Sequence, residues 1–303
     1  MNRKNTIILI VFLIGSIGTT GFSQDTDTVK YWTKTGAFSI NVAQSTFTNW
    51  AAGGQNSVAL SGLASFSANY KKGRSAWDNN LTVGYGKMKQ KGNEVEWVKT
   101  DDKIDFLSKY GLEAGKAWYY SALMGFKSQF AAGYNYPDVT NKISDFLAPG
   151  YLVFSLGMDY KPNPVFTAFL SPLTAKTTIV MDEDLSSAGA FGVKPGESFR
   201  AEFGAYANIV FKKENIVKNV NLVSKLDLFS NYLNNPQNID VSWEILAIMK
   251  VNNWLSATIT THLLYDDDIL IKVGEDGESA PLWGKRAQFK EVIGVGLTFK
   301  IPK

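Results

Sequence analysis

The 303-residue sequence contains no cysteine and a single histidine, His262. Disulfides, thiolate zinc sites, cysteine nucleophiles and lipidation through a cysteine are excluded on composition alone. Proline is scarce, nine residues in all, so long uninterrupted strands or helices are permitted. Charge of one sign is also lacking: 31 Lys and Arg stand against 28 Asp and Glu. No basic stripe with interleaved aromatics occurs, so nucleic acid is not an expected partner. Beyond the N-terminus no apolar run approaches the roughly 20 residues of a spanning helix. Leu246–Met249 is typical of what is found.

What is present begins with a targeting segment. Arg3 and Lys4 precede the short apolar stretch Thr6–Ile17, and Gly21-Phe22-Ser23 follows with small residues suited to a signal peptidase. Residues 1–23 read as a signal peptide cleaved after Ser23, 24–35 as a short periplasmic segment, and 36–303 as one domain.

From Phe38 onward the dominant period is two. Ala205, Ala207, Ile209 and Phe211 alternate with Tyr206, Asn208 and Val210; Ile104, Phe106, Tyr110 and Leu112 alternate with Lys103, Asp105, Lys109 and Glu113. Each run is a strand with one apolar and one polar face. Twelve strands are predicted, over 36–47, 56–70, 75–87, 102–114, 117–130, 149–160, 164–181, 199–212, 219–232, 239–250, 254–265 and 287–300. Connections alternate: 71–74, 115–116, 161–163, 213–218 and 251–253 are short, and those between them are mostly longer. This is the pattern of a transmembrane antiparallel up-and-down β-barrel, with short periplasmic turns, long extracellular loops and both ends on the periplasmic side.

Aromatic residues close the apolar faces. Tyr70, Trp77, Trp118, Tyr160, Trp254 and Phe299 fall at one rim, and Phe130, Phe199, Tyr232 and Tyr265 at the other, where membrane barrels carry girdles. The same residues could pack the core of a soluble β-sandwich, which would need a second sheet over every apolar face. Gly294, Leu297 and Phe299 resemble a C-terminal signal read by barrel-assembly machinery, an expected partner together with outer-membrane lipid.

On this parity the inward face carries Lys103, Asp105, Lys109, Glu113, Lys127, Asp159, Lys176, Arg200, Glu202, Lys225, Asp227, Glu244, Lys250, His262 and Lys290, with Asp78. Unpaired charge is costly to bury, so the interior is expected to be wet or laced with ion pairs. Mixed signs argue for a network rather than an ion-selective lining. Arg200 and Glu202 are a candidate cross-lumen pair. His262 could activate a serine in a lipid hydrolase, but it faces inward, away from lipid, and has no local Ser-Asn companion. The acidic groups Asp182-Glu183-Asp184, Asp266-Asp267-Asp268 and Glu275-Asp276 lack calcium-loop spacing and read as loop charge. Trp50, Gly53, Gly54 and Asn56 make the least expected segment, either a register-setting hairpin or a ligand-contacting or constriction loop.

Several stretches taken together resemble a known family: Trp50–Ser57, Trp118-Tyr119-Tyr120-Ser121, Gln129-Phe130 with Gly133-Tyr134, Ser171-Pro172-Leu173-Thr174 with Lys176, and Gln288-Phe289-Lys290-Glu291. They are similar to the domain of unknown function 3078 family of Gram-negative envelope proteins. The resemblance implies an envelope location and transfers no catalytic residue, cofactor or metal. The expected function is a narrow passive channel or small-solute transporter of the outer membrane. The alternatives are a closed barrel serving as scaffold or docking protein and, third, a lipid-modifying enzyme.

Overall fold

A computed structural model describes residues 30–46, 55–269, 271–276 and 280–301. The signal-peptide reading, and Trp50, Gly53 and Gly54, lie outside the described residues. Twelve long strands form the wall. They are β1 (Trp32–Ser45), β2 (Ser57–Lys72), β3 (Ser75–Gln90), β4 (Val98–Gly115) and β5 (Trp118–Ser128). After the hairpin β6 (Gly133–Tyr134) and β7 (Lys142–Ser144) come β8 (Gly150–Asn163), β9 (Phe166–Ile179), β10 (Phe199–Val217) and β11 (Val220–Asn231). The last are β12 (Ile239–Lys250), β13 (Leu255–Tyr265) and, beyond the hairpin β14 (Ile271–Asp276) and β15 (Ala280–Gly284), β16 (Gln288–Ile301). Each wall strand pairs antiparallel with the next, and β16 pairs with β1, so the sheet is closed and has no edge.

All twelve predicted strands are present. β4 and β10 exceed their predicted lengths the most. β4 starts at Val98, and β10 runs to Val217, which reduces the expected 213–218 turn to Lys218 and Asn219. A register irregularity between Lys213 and Val217 takes up the extra residues, and Asn219 sits at φ +66°, which asparagine tolerates better than most. Tight turns at Gly73-Arg74, Lys116-Ala117 and Pro164-Val165 share this end of the barrel with both chain ends of the wall.

The burial pattern is the reverse of a soluble protein's. Val42, Leu60, Phe66, Leu112, Tyr120, Phe154, Leu156, Leu173, Ile293 and Val295 are exposed, whereas Asp105, Lys109, Asp159, Thr174, Glu202, Asn208 and Asp227 are buried. A sandwich would show the opposite, so the single closed sheet rules that alternative out. Aromatics band the short-turn end: Trp32 stacks near Tyr70 and Trp77 at ring distances of 5.2 and 5.7 Å, and Trp118 lies 4.7 Å from Tyr160.

Close approach of a neighbouring strand requires glycine at Gly296 and at Gly157, among others. A Cβ on Gly296 would lie 1.9 Å from the Ile40 carbonyl oxygen, at the seam where β16 meets β1. One on Gly157 would lie 2.1 Å from the Leu170 carbonyl oxygen. That carbonyl is displaced by a bulge in β9, where Pro172 contributes no N–H and one extra residue is accommodated against both neighbours. Ser171 repairs the break: its hydroxyl donates to the Leu156 or Leu173 carbonyl and accepts from the Leu173 N–H and from Thr174.

The long connections are not plain loops. That from 180 to 198 holds the short helix α1 (Glu183–Ser187) and a 3-10 turn at Ala190–Gly192. Ala148, Val180, Leu185 and Val193 form a small apolar core beneath it, with Phe191 and Ala190 packed alongside. Segments this short carry too few periods to be read as elements from sequence.

Asp182 caps α1 by accepting the Leu185 N–H at 3.1 Å, and Lys142 of the neighbouring loop bonds its carboxylate. The Lys142 ammonium holds that carboxyl below the usual carboxylate range. A depressed folded-state value means that the stabilisation is present above the ordinary carboxylate pKa and lost as pH falls through the lowered one. Amide protection over residues 185–189, followed by hydrogen exchange, is therefore expected to survive at pH about 4. In Lys142→Met it is expected to fail at higher pH than in wild type. Equal pH profiles would separate the cap from the lysine.

Candidate functional site

The interior is crossed by ion pairs at three levels. In the middle, Lys103 of β4 bonds Glu244 of β12, which lies opposite it in the ring. Lys225 of β11 reaches Asp105 of β4 at 2.9 Å, and Lys127 of β5 reaches Asp227 of β11 at 2.9 Å. Asp227 also accepts from the Tyr206 hydroxyl at 2.6 Å and from Asn208 at 2.7 Å. A carboxylate can take this many donors because it offers about four lone-pair sites.

Toward the short turns, Lys109 bonds Asp159 at 2.8 Å, and Lys161 bridges Asp159 and Asp78. Toward the long loops, Lys176 of β9 meets Asp240 of β12 at 2.6 Å, with Glu202 at 3.5 Å and Asp266 at 3.6 Å. Arg200 bonds Asp268 at 3.0 Å and Glu202 at 3.1 Å. Lys290 of β16 bonds Asp101 of β4. Glu113 pairs with Lys71 at 3.7 Å near a turn, and Lys250 ends β12 on the same face as Glu244.

Arg200 and Glu202 are not a pair across the lumen. They are two residues apart on β10, and their bond runs along one strand. The chains that do cross come from β4, β5, β11, β12 and β16. Asp266, Asp267 and Asp268 are not simply solvated either: Lys176, Lys285 and Arg200 respectively hold them. Among the described residues no group of His, Asp and Glu is arranged to hold a metal.

His262 has a companion that chain distance hid. The β12–β13 register brings Ser242 to 3.0 Å from its Nε2. Glu244 approaches that same Nε2 at 3.9 Å. A hydrolytic relay needs the nucleophile and the acid on opposite ring nitrogens, so this trio is not assembled as one. Sequence reading also passed over Tyr206, Asn208, Asp240 and Lys161, each of which completes a partner's bonding.

The network does not fill the barrel evenly. Along β5, β8 and β9 the interior is packed: Phe169 and Thr174 are fully buried, and Leu123 and Ser155 nearly so. On the other side, small residues of β2 and β3 leave a cavity of about 690 Å³. It extends from the turn at Asn163, Pro164 and Val165 past Asp78 and Lys161, and up to Asp101 and Lys290. Asn56 sits outside it, its carbonyl accepting the Lys91 N–H at 2.8 Å.

A closed ring of antiparallel strands, apolar outside and charged inside, defines the class: a β-barrel of the outer-membrane type. Within it, the model of the family described as protein of unknown function DUF3078 matches residues 42–134, so the resemblance read from the sequence is shown over that segment. Two of the motifs that carried it, at Ser171 and at Gln288, lie beyond the match. No curated protein matches the chain. Among solved structures it is similar to the translocator domain of autotransporter NalP from Neisseria meningitidis, at 11% identity and a TM-score of 0.35, covering 90% of this chain and 89% of that one. It is also similar to OmpF of Salmonella typhi, solved in complex with daunomycin, at 9% identity and a TM-score of 0.28, covering 89% of this chain and 97% of that one. The barrel assignment rests on the strand pairing of this chain.

Proposed function

We propose that the protein is an outer-membrane barrel that offers small solutes a narrow passive route, constricted at mid-height by cross-lumen ion pairs. The observation that carries this reading is the 690 Å³ cavity, whose lining includes the network residues Lys103, Asp105 and Glu244 and reaches from Val165 near the short turns to Asp101 and Lys290. Secretion through residues 1–23, insertion by barrel-assembly machinery and a lipid shell around the apolar wall are parts of the same proposal. Twelve strands lie between filled eight-stranded barrels and open sixteen-stranded porins, and long lysine side chains narrow such a lumen further.

A closed barrel acting as an envelope scaffold is the second reading. Its support is the set of bonds spanning the ring, Lys103–Glu244 above all, together with the apolar core under the 180–198 connection.

Planar-bilayer recording separates the two. Wild-type protein is expected to give small, discrete conductance steps. Lys103→Met with Glu244→Gln removes the widest crossing bond without leaving one charge alone, and larger steps are expected. Folded protein that is silent in both forms would reject the route and leave the scaffold.

A further inference from the structure

The chamber's chemistry narrows the class of solute, an inference that rests on the conduit reading. All but one of its lysines are already committed. Lys103, Lys109, Lys161, Lys225 and Lys290 bond Glu244, Asp159, Asp78, Asp105 and Asp101. An ion entering the chamber must either shed water without gaining a counter-charge or break one of these pairs and strand its partner, and both are costly.

What the chamber has to spare is neutral. Ser65, Ser67, Asn69, Asn80 and Thr82 line one wall. Ser65 and Thr82 lie 3.4 Å apart, and Ser67 donates to Asn80 at 2.7 Å, so these groups are held in position. Each hydroxyl and amide retains further hydrogen-bonding capacity. Opposite, on β10, β11 and β12, the aliphatic side chains of Val210, Val223 and Leu246 line the chamber between the paired charges of Lys225 and Glu244.

Hydroxyl and amide groups opposite branched aliphatics complement a molecule with a hydroxylated rim and C–H faces. We infer that the chamber selects small uncharged polyols, of the dimensions of a monosaccharide, over ions of equal size. Lys212 lines the mouth near Val165 and has no carboxylate within 4.0 Å among the described residues. It is exposed at the turn end, where a cation remains hydrated, so it does not convert the chamber into an anion site.

The test is swelling of proteoliposomes in isotonic glucose, glucosamine or glucuronate at neutral pH. These share a ring and differ in charge. Glucose is expected to enter at least about tenfold faster than either charged analogue, a barrier difference of ~1.4 kcal/mol. Ser65→Val with Ser67→Val is expected to cut that ratio several-fold while heat-modifiable gel mobility shows the barrel still folded. Lys212→Gln is expected to leave the ratio unchanged.

Charged analogues entering as fast as glucose would overturn the selectivity and leave the conduit standing. A glucose preference unchanged by the double serine variant would remove the polar wall as its cause and overturn the inference. Failure of all three solutes, and of glycerol, would reject the conduit itself.

Discussion

Asp227→Ala is expected to cost about 3–5 kcal/mol, the range for breaking a buried pair by deleting one partner. The carboxylate is buried and collects three donors, from Lys127, Tyr206 and Asn208, with the Lys225 ammonium 3.8 Å away. Alanine would leave the Lys127 ammonium reaching across the lumen with no carboxylate to meet it, and would orphan the tyrosine hydroxyl. Lys225 retains Asp105, so the damage falls on the β5–β11 crossing rather than on the whole middle layer. Asp227→Asn keeps the shape and part of the bonding and is expected to cost less. Urea titration of the folded barrel in lipid vesicles, followed by tryptophan fluorescence, measures both. An alanine variant no less stable than the surface control Glu94→Ala would show that the network contributes little to stability.

The second large effect lies on the opposite face of the same strand. Leu226 pairs with Ile209 and Trp243, and Trp243 is exposed on the outer wall, so Leu226 points outward one residue after the inward Lys225. Leu226→Arg places a guanidinium against hydrocarbon near mid-wall. It is expected to destabilise by about 2–4 kcal/mol in a bilayer. Leu226→Phe keeps the position apolar and is expected to be nearly neutral. The comparison belongs in vesicles rather than in detergent micelles, which deform more readily around a charge. Equal stability of the two variants would place Leu226 away from lipid and undo the membrane reading of the wall.

Both outcomes depend on which face each residue takes, and that much was legible beforehand. A strand alternates its side chains strictly, so parity follows from counting along one segment. The alternation of Leu226 and Lys225, the twelve strands, and the short turns on one end are all local properties. Even the reversed burial is implied, because no sheet was available to cover so many apolar faces. Ser171-Pro172-Leu173-Thr174 carried a local cue as well: a proline within a strand has to sit at a bulge or an edge, and a closed barrel has no edge.

Parity says inward or outward but nothing about position around the ring. Residues of β4 and β12 are brought opposite each other only when the sheet closes with a particular stagger. That stagger decides that Lys103 meets Glu244, that Ser242 lies beside His262, and that Arg200 and Glu202 merely neighbour one another along β10. It is set jointly by every pairing register and by the glycines that allow close approach, such as Gly296 at the seam. The uneven filling of the lumen has the same origin: Phe169 and Leu123 fall on one side and the serines of β2 on the other. The sequence alone therefore determined the strands, their faces and the charge of the interior, because alternation and connection length are local. Only the tertiary structure decided which charges meet and where a chamber remains, because both depend on the closed geometry of the whole sheet.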